Sequence, residues 1–383
     1  MSIRIAGMMS GTSYDAVDVA VAEFEQDGAV LRCRPVGMIG TPLDQPTRSA
    51  IAALLPPNST DIGTVCRLDT ELGRLFGRAA ARAISEFGPV DLVVSHGQTV
   101  FHWVENREAL GTLQLGSPAW IAEATGAPVL SDLRTRDIAR GGQGAPLAAM
   151  FDAMLVLSDR VARGSLNLGG IANITVADPE VIAYDLGPAS ALMDLAVSRA
   201  TGGAERMDTD GRRASRGAVD HQLLDRLLAE PYYRLPPPKS TGKELFDADY
   251  LDRMVGNKPI DLDDLVATVT ELTAELVARA CRQHRLAELV VAGGGVRNPT
   301  LMARIAELVG VPVRSIAEFG MPAQAKEAYL MALIGYLSWF GLPGTLASAT
   351  GASSLLGSFT PGPGPLSLPD PRTVAPERLV IVS

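Results

Sequence analysis

One order of events occurs twice along this chain: a short apolar strand, a glycine-bearing turn, further strands, a helix, and then a strand running into another glycine turn. Residues 3–6 read as a short buried strand, and the turn "GMMSGTSYDA" follows it. Residues 16–25 and 29–38 alternate in polarity around "QDG", which is a hairpin signal. Leu68, Leu72, Leu75, Phe76, Ala79, Ala83 and Phe87 then recur at three- and four-residue spacing, which predicts a helix. Residues 91–95 are a strand ending in the polar turn "HGQT". In the middle of the chain, "SLNLGGIANITVAD" reads strand, glycine turn, strand, and "EVIAYDLGP" adds a third strand ending at Asp185. A long helix carries Leu265, Val269, Leu272, Leu276 and Ala280 on one face. "AELVVAGGGVRN" is again a strand entering a glycine turn, with a helix from about Pro299.

A repeated order in 383 residues predicts two domains. The expected division is an N-terminal α/β domain, residues 1–128, with the first glycine turn, and a C-terminal α/β domain, residues 129–383, with the other two. A polar stretch around residues 202–259, containing "RLPPPKSTGKE", reads as an insertion carrying loops. Two strand-meander-plus-helix halves sharing a glycine-lined cleft is the layout of the actin/Hsp70/sugar-kinase fold, a duplicated ribonuclease-H-like architecture. Two unrelated α/β domains are the alternative. The tail from Thr360 is too rich in Pro and Gly for a core element, but its last residues, "RLVIVS", suit a terminal strand.

Composition narrows the function. Hydrophobic residues at 47% and charged residues at 20% describe a globular chain with enough apolar mass for sizeable cores. A net charge of -9 argues against a nucleic-acid binder, so an anionic ligand must be held by local amides, a metal or a few arginines. Cys33, Cys66 and Cys281 lie far apart, which predicts neither a disulfide framework nor a zinc site. Without an apolar signal core or an apolar run of roughly 18 residues, a cytoplasmic protein with no membrane partner is expected.

The glycine turns carry the chemistry. Glycine permits the close approach and positive φ that let consecutive amides surround a phosphate. Gly11, Thr12 and Ser13 offer amides and two hydroxyls, Gly169 and Gly170 form a second such turn, and Gly293, Gly294 and Gly295 a third. None is a Walker A motif, and "AGGGVRN" lacks the GxGxxG spacing. One such turn alone reads as structural; three at strand ends favour nucleotide phosphate. Asp15 and Asp18 suit the water shell of Mg²⁺ or, equally, a hairpin-stabilising pair. Asp185 precedes Gly187 and Pro188, and Pro188 suits the first turn of a helix. Asp194 reads as solvated or capping. Arg136 and Arg140 read as surface partners of Asp132 or Asp137, and His96 as a structural hydrogen-bonding group. His221 and His284 read as helix-surface residues.

Several long stretches resemble the anhydro-N-acetylmuramic acid kinase family: "GMMSGTSYDAVD", "SHGQTVFH", "SDLRTRDIARGGQGAPL", "NLGGIANIT", "YDLGPASALMD", "PPKSTGKELF", "AGGGVRN", "KEA" at residues 326–328 and "TGA" at 350–352. The resemblance runs nearly end to end. It implies an ATP-dependent sugar kinase that opens a 1,6-anhydro ring with water while phosphorylating O6, in cell-wall recycling. On the matching positions it implies Asp185 as catalytic base and Thr99, Arg134 and Glu327 as sugar contacts. It further implies an ATP site made by Gly11, Thr12, Ser13, Tyr14, Asp15, Asp18, Gly169 and Gly170, with residues 293–295 as the adenosine-binding turn. ATP and Mg²⁺ are the implied cofactors, without identified metal ligands, and a homodimer is the implied assembly. The chain departs from the family in Ala16, in Asp152 where histidine is common, and in Leu186, Ala189 and Ser190 of "DLGPAS". Another sugar or acetate kinase of this fold would need no hydrolytic water, and an inactive nucleotide-binding relative would turn nothing over. A partner-binding switch would call for a long appendage, and none is expected from this sequence beyond the Pro-rich tail.

Overall fold

In the structure, a computed structural model, residues 2–11, 13–106, 108–159, 161–237, 239–242, 245–322 and 325–382 are described. The chain divides into two compact units, Met1–Ser158 with Ala325–Ser383, and Asp159–Gln324. In chain order the first unit opens with β1 Ser2–Ser10, β2 Ala16–Asp27, β3 Val30–Pro42, α1 Gln45–Leu54, α2 Ile62–Phe87 and β4 Leu92–Ser95. It continues with β5 Gln98–Glu105, β6 Glu108–Leu115, α3 Pro118–Thr125, β7 Val129–Ser131, α4 Thr135–Ala139 and α5 Ala148–Leu155. The second unit holds β8 Arg163–Leu168, β9 Ile171–Ala177, β10 Val181–Pro188, α6 Ser190–Ala200, α7 Arg212–Arg216, α8 His221–Leu228 and α9 Ala248–Val255. It ends with α10 Leu262–Gln283, β11 Glu288–Ala292, α11 Pro299–Val309 and β12 Val313–Ser315. The chain then returns to the first unit as α12 Lys326–Trp339, α13 Ala347–Thr350, β13 Ser358–Thr360 and β14 Arg378–Ile381.

The first unit is a seven-stranded sheet in the order β13-β7-β4-β1-β2-β3-β14. Its strands alternate faces residue by residue. Ala6, Met8 and Val93 pack toward α2 in one core, with Leu72, Phe76 and Ala80. Gly7 on the opposite face lies under α12, where an added Cβ would sit 2.1 Å from the Ala328 carbonyl. Asp61 starts α2 by accepting from the Thr64 amide, and Gly88 at φ 96 ends it. β5 and β6 form a separate two-stranded ladder whose Phe101, Trp103 and Leu113 remain exposed.

The second unit is a five-stranded sheet, β10-β9-β8-β11-β12, packed with α6 and α8–α11 into one core. Counted by first appearance, its strands lie in the order 3-2-1-4-5, the first three antiparallel and the last two parallel to the first. The five central strands of the first unit, β3-β2-β1-β4-β7, repeat both the order and the directions. The twofold repeat expected from the sequence is therefore a repeat of topology, the duplicated ribonuclease-H-like plan.

Three expectations are corrected. The unit boundary differs from a single division after residue 128. The chain leaves the first sheet only after α5, and α12 and β14 return to it, the latter pairing in parallel with β3. Residues 202–259 carry more than loops, since α8 and α9 bury Leu223, Leu227, Tyr250 and Leu251 in the second core. Pro188 ends β10 rather than opening a helix: α6 starts at Ser190 behind Ala189, and Pro188 still pairs with Ile171. The expected helix at Pro299 and terminal strand at β14 are present. Cys33, Cys66 and Cys281 are free thiols, and among the described residues no helix is long and apolar enough to cross a membrane.

Candidate functional site

In the first unit the strand-end turn after β1 closes with the Tyr14 amide donating to the Gly11 carbonyl at 3.1 Å, and Tyr14 is left-handed at φ 41. Ser10 Oγ donates to Gln98 Oε1 at 2.7 Å, tying this turn to the turn after β4. Gly11 has open space where a Cβ would stand, and Ser13 is exposed. Thr12 lies outside the described residues. Asp15 is exposed and 3.7 Å from Arg48. Asp18 is half-buried on β2 opposite Gly40, and burial holds its carboxyl above the usual range. It accepts no hydrogen bond among the described residues, so a cation on this carboxylate would relieve the burial.

Beside that turn is a cavity of about 130 Å³ lined by Ser10, Gly11, His96, Thr99, His102 and Arg134. Arg134 Nε donates to His96 Nε2 at 3.0 Å, and its Nη1 donates to the Gly144 carbonyl at 2.6 Å. Burial, partly offset by the Glu327 charge, lowers the guanidinium to about 10. Thr99 Oγ1 accepts from Gln114 Nε2 at 3.3 Å. Glu327, on the first turn of α12, meets solvent but is crowded by protein atoms. Desolvation raises its carboxyl, with Lys326 and Arg134 opposing that rise and Asp18 adding to it. Thr99 and Arg134 line this cavity, and Glu327 lies close enough to Arg134 and Asp18 to interact with both charges.

Behind Arg134 stands a scaffold that the sequence reading assigned otherwise. Asp137 is buried and accepts from the Gly144 amide at 2.9 Å, Thr345 Oγ1 at 2.9 Å and Thr350 Oγ1 at 3.2 Å. Of the two carboxylates open to a surface pairing with Arg136 or Arg140, Asp137 is thereby removed, because three neutral donors satisfy it inside the fold. The stretches "GGQGAPL" and "TGA" thus meet on one carboxylate. Lys326 pairs with Asp152 at 2.5 Å with both side chains buried, so the departure from histidine at 152 supplies that lysine's counter-charge.

In the second unit the turn between β8 and β9 faces α6 with its carbonyls. Gly170 accepts from the amides of Ala189 and Ala191, and Gly169 from that of Ser190. The third glycine turn lies against the end of β8. A Cβ on Gly293, whose φ is 92, would fall 2.7 Å from the Leu168 carbonyl, and one on Gly295 would fall 2.7 Å from Leu168 Cβ. Gly293 and Gly295 permit this close approach, while a Cβ on Gly294 would meet only the Arg297 guanidinium, at 3.8 Å. The two turns are thereby brought together, and Asn298 caps α11 just beyond them by accepting from the Leu301 amide at 3.0 Å.

Asp185 lies at an irregularity where the β9–β10 register shifts, which re-aims a side chain. Its Oδ2 accepts from Ser240 Oγ at 3.0 Å and from the Thr241 amide at 2.9 Å. Its backbone is held as well: its amide donates to the Lys239 carbonyl at 3.1 Å, and its carbonyl accepts from Tyr232 Oη at 2.9 Å. Lys239 Nζ donates to the carbonyls of Tyr232 and Tyr233. Burial lowers Lys239, while the Asp185 charge opposes that fall. In the stretch "PPKSTGKELF", Ser240 and Thr241 clamp the carboxylate and Lys239 holds the Asp185 backbone amide. The signal available was a Ser-Thr pair flanked by Pro and Gly, residues that donate from loops. His284 is not a surface residue, since its ring bridges Tyr184 Oη at 2.8 Å and Asp178 at 2.7 Å. Among the described residues no group of three His, Cys, Asp or Glu side chains could hold a metal ion.

The family model for anhydro-N-acetylmuramic acid kinase matches residues 3–362. Curated relatives of that name are 53% identical in Streptomyces coelicolor, over 99% of this chain and 99% of the relative, and 50% identical in Streptomyces avermitilis, over 99% and 100%. A third, in Rhodococcus erythropolis, is 48% identical over 98% of this chain and 100% of its own length. A match across both units at such identity leaves one assignment: the chain belongs to the anhydro-N-acetylmuramic acid kinase family.

Proposed function

We propose that the protein opens the 1,6-anhydro ring of anhydro-N-acetylmuramic acid with water and transfers the γ-phosphate of ATP to O6. The product is N-acetylmuramic acid 6-phosphate, in cytoplasmic recycling of peptidoglycan. The observation that carries the reading is the clamped carboxylate of Asp185, which receives donors from Ser240 and Thr241 on one oxygen. A carboxylate oriented in this way suits a general base that takes the proton of a water attacking the anomeric carbon. As the ring opens, O6 becomes the nucleophile toward the γ-phosphate.

Thr99, Arg134 and Glu327 contact the sugar, with the Arg134 fork suited to ring oxygens. Gly11, Ser13, Tyr14, Gly169 and Gly170 hold the phosphates, and Gly293, Gly294 and Gly295 the adenosine. Asp18, with Asp15, would hold Mg²⁺ through water, since that ion keeps several waters and takes few protein oxygens. Bound there, the ion would neutralise charge on the transferring phosphoryl group. The protein is taken to work as a homodimer, which light scattering on the eluting protein checks.

The test is a coupled ADP-release assay with the anhydro sugar in heavy-oxygen water. One heavy oxygen per phosphorylated product is expected. ADP release with unlabelled product would mean transfer to an ordinary hydroxyl and would overturn the reading.

A further inference from the structure

We propose that His96 is a positioning residue for substrate binding, acting through Arg134: its imidazole Nε2 accepts from Arg134 Nε and fixes the plane of the guanidinium that meets the sugar. This rests on the reading of Arg134 as a sugar contact. His96 is 3% exposed, and its Nδ1 lies 3.0 Å from the Gly97 carbonyl. A carbonyl only accepts, so Nδ1 carries the proton and Nε2 presents its lone pair to Arg134. The two hydrogen bonds select one tautomer and one ring orientation. Arg134 Nη1 is bound to Gly144, whose own amide is held by Asp137, so two rigid acceptors define the guanidinium plane. No hydrogen bond occupies Nη2 among the described residues, and that edge is left for a ligand.

The choice of acceptor matters. A carboxylate at this place would neutralise Arg134 and compete with an oxygen-rich ligand for it. A neutral imidazole orients the guanidinium and leaves its charge intact. The ring must then stay neutral, and its surroundings keep it so. Burial is the largest cause and the Arg134 charge the second, together bringing His96 to about 3. The other ionisable groups nearby are His102 on β5, itself lowered by burial and Arg134, and Glu327 on α12. Asp69 and Asp132 line the groove on the other side of His96.

The test compares steady-state kinetics of wild type, His96→Leu, which keeps volume and removes the acceptor, and His96→Gln, whose side-chain carbonyl can replace Nε2. In His96→Leu the sugar KM is expected to rise roughly tenfold or more, since small misplacement of a binding group carries such costs. The MgATP KM should stay within about twofold, and His96→Gln should recover most of the loss. In an Arg134→Ala background, His96→Leu should add nothing. An unchanged sugar KM, or an undiminished effect in the Arg134→Ala background, overturns the inference. Wild type that fails to turn over the anhydro sugar strikes the proposed function instead. Nitrogen-15 spectra of the wild-type imidazole decide the point even if His96→Leu does not fold. An unprotonated Nε2 from pH 5 to 8 is expected, and a proton found there overturns the inference.

Discussion

At the scale of single residues, Asp185→Asn separates the two halves of the proposed reaction. The amide keeps the size of the carboxylate and can still accept from Ser240 and Thr241, but it takes up no proton at neutral pH. Loss of a general base typically costs about a hundred- to ten-thousand-fold, so kcat should fall by that factor. Phosphate binding relies on positioning and charge, so the MgATP KM should change little; near-normal turnover would place the base elsewhere. Protonation of His96 gives a stability prediction. Its folded value of about 3 lies below the ordinary 6.5 of an unfolded histidine. Between those values the unfolded chain binds a proton that the folded chain refuses, so stability falls as pH drops from 6.5 toward 3 and is unaffected above. The slope approaches about 1.4 kcal/mol per pH unit in that window. Urea titrations from pH 7 to 4 should show a shallower acid loss in His96→Gln. Asp185 was legible because it ends an apolar run before Gly187 and Pro188. Its clamp was not, because residues 239–241 reach it across more than fifty positions of chain, and no local pattern encodes that meeting.

At the scale of elements, the crossing of α12 over β1 is backbone against backbone. A Cβ on Gly7 would stand 2.1 Å from the Ala328 carbonyl and 2.4 Å from the Ala332 amide, and one on Gly335 would meet Val94 and Ile5. Neither partner can swing aside, since both are main chain or well-packed core. Gly7→Ala should therefore cost roughly 1–3 kcal/mol or more, read as a lower denaturation midpoint at unchanged slope; a loss within error would mean that α12 can lift off the strand. The sequence shows why this element escapes a periodicity reading. Nearly every residue from Lys326 to Ser338 is buried, so no polar face alternates with an apolar one. By contrast α2 and α10 declared themselves through spaced leucines, and β2–β3 through "QDG". The short α8 and α9 were hidden by the Pro- and Gly-rich segments around them, although each carries an apolar stripe that reaches the core.

At the scale of the whole molecule, the repeated strand order was readable in outline, since each half announces itself by strands and glycine turns. The path of the chain was not, because pairing of β14 with β3 depends on partners 348 residues apart for Arg378 and Val30, a separation no local signal spans. That path has a consequence for synthesis on the ribosome. Residues 159–324 form one uninterrupted unit, whereas the first unit needs both ends of the chain. While the second unit is being made, β3 lacks the edge partner that β14 supplies, and β1 and β4 lack the cover of α12. The later-made unit is then the first able to finish folding, and the earlier one waits with an open sheet edge and a bare apolar face, a form prone to association. A fragment of residues 159–324 should give a cooperative unfolding transition by itself, whereas residues 1–158 should do so only when residues 325–383 are supplied in trans. A cooperative transition from residues 1–158 alone would show that the nascent chain needs no such wait.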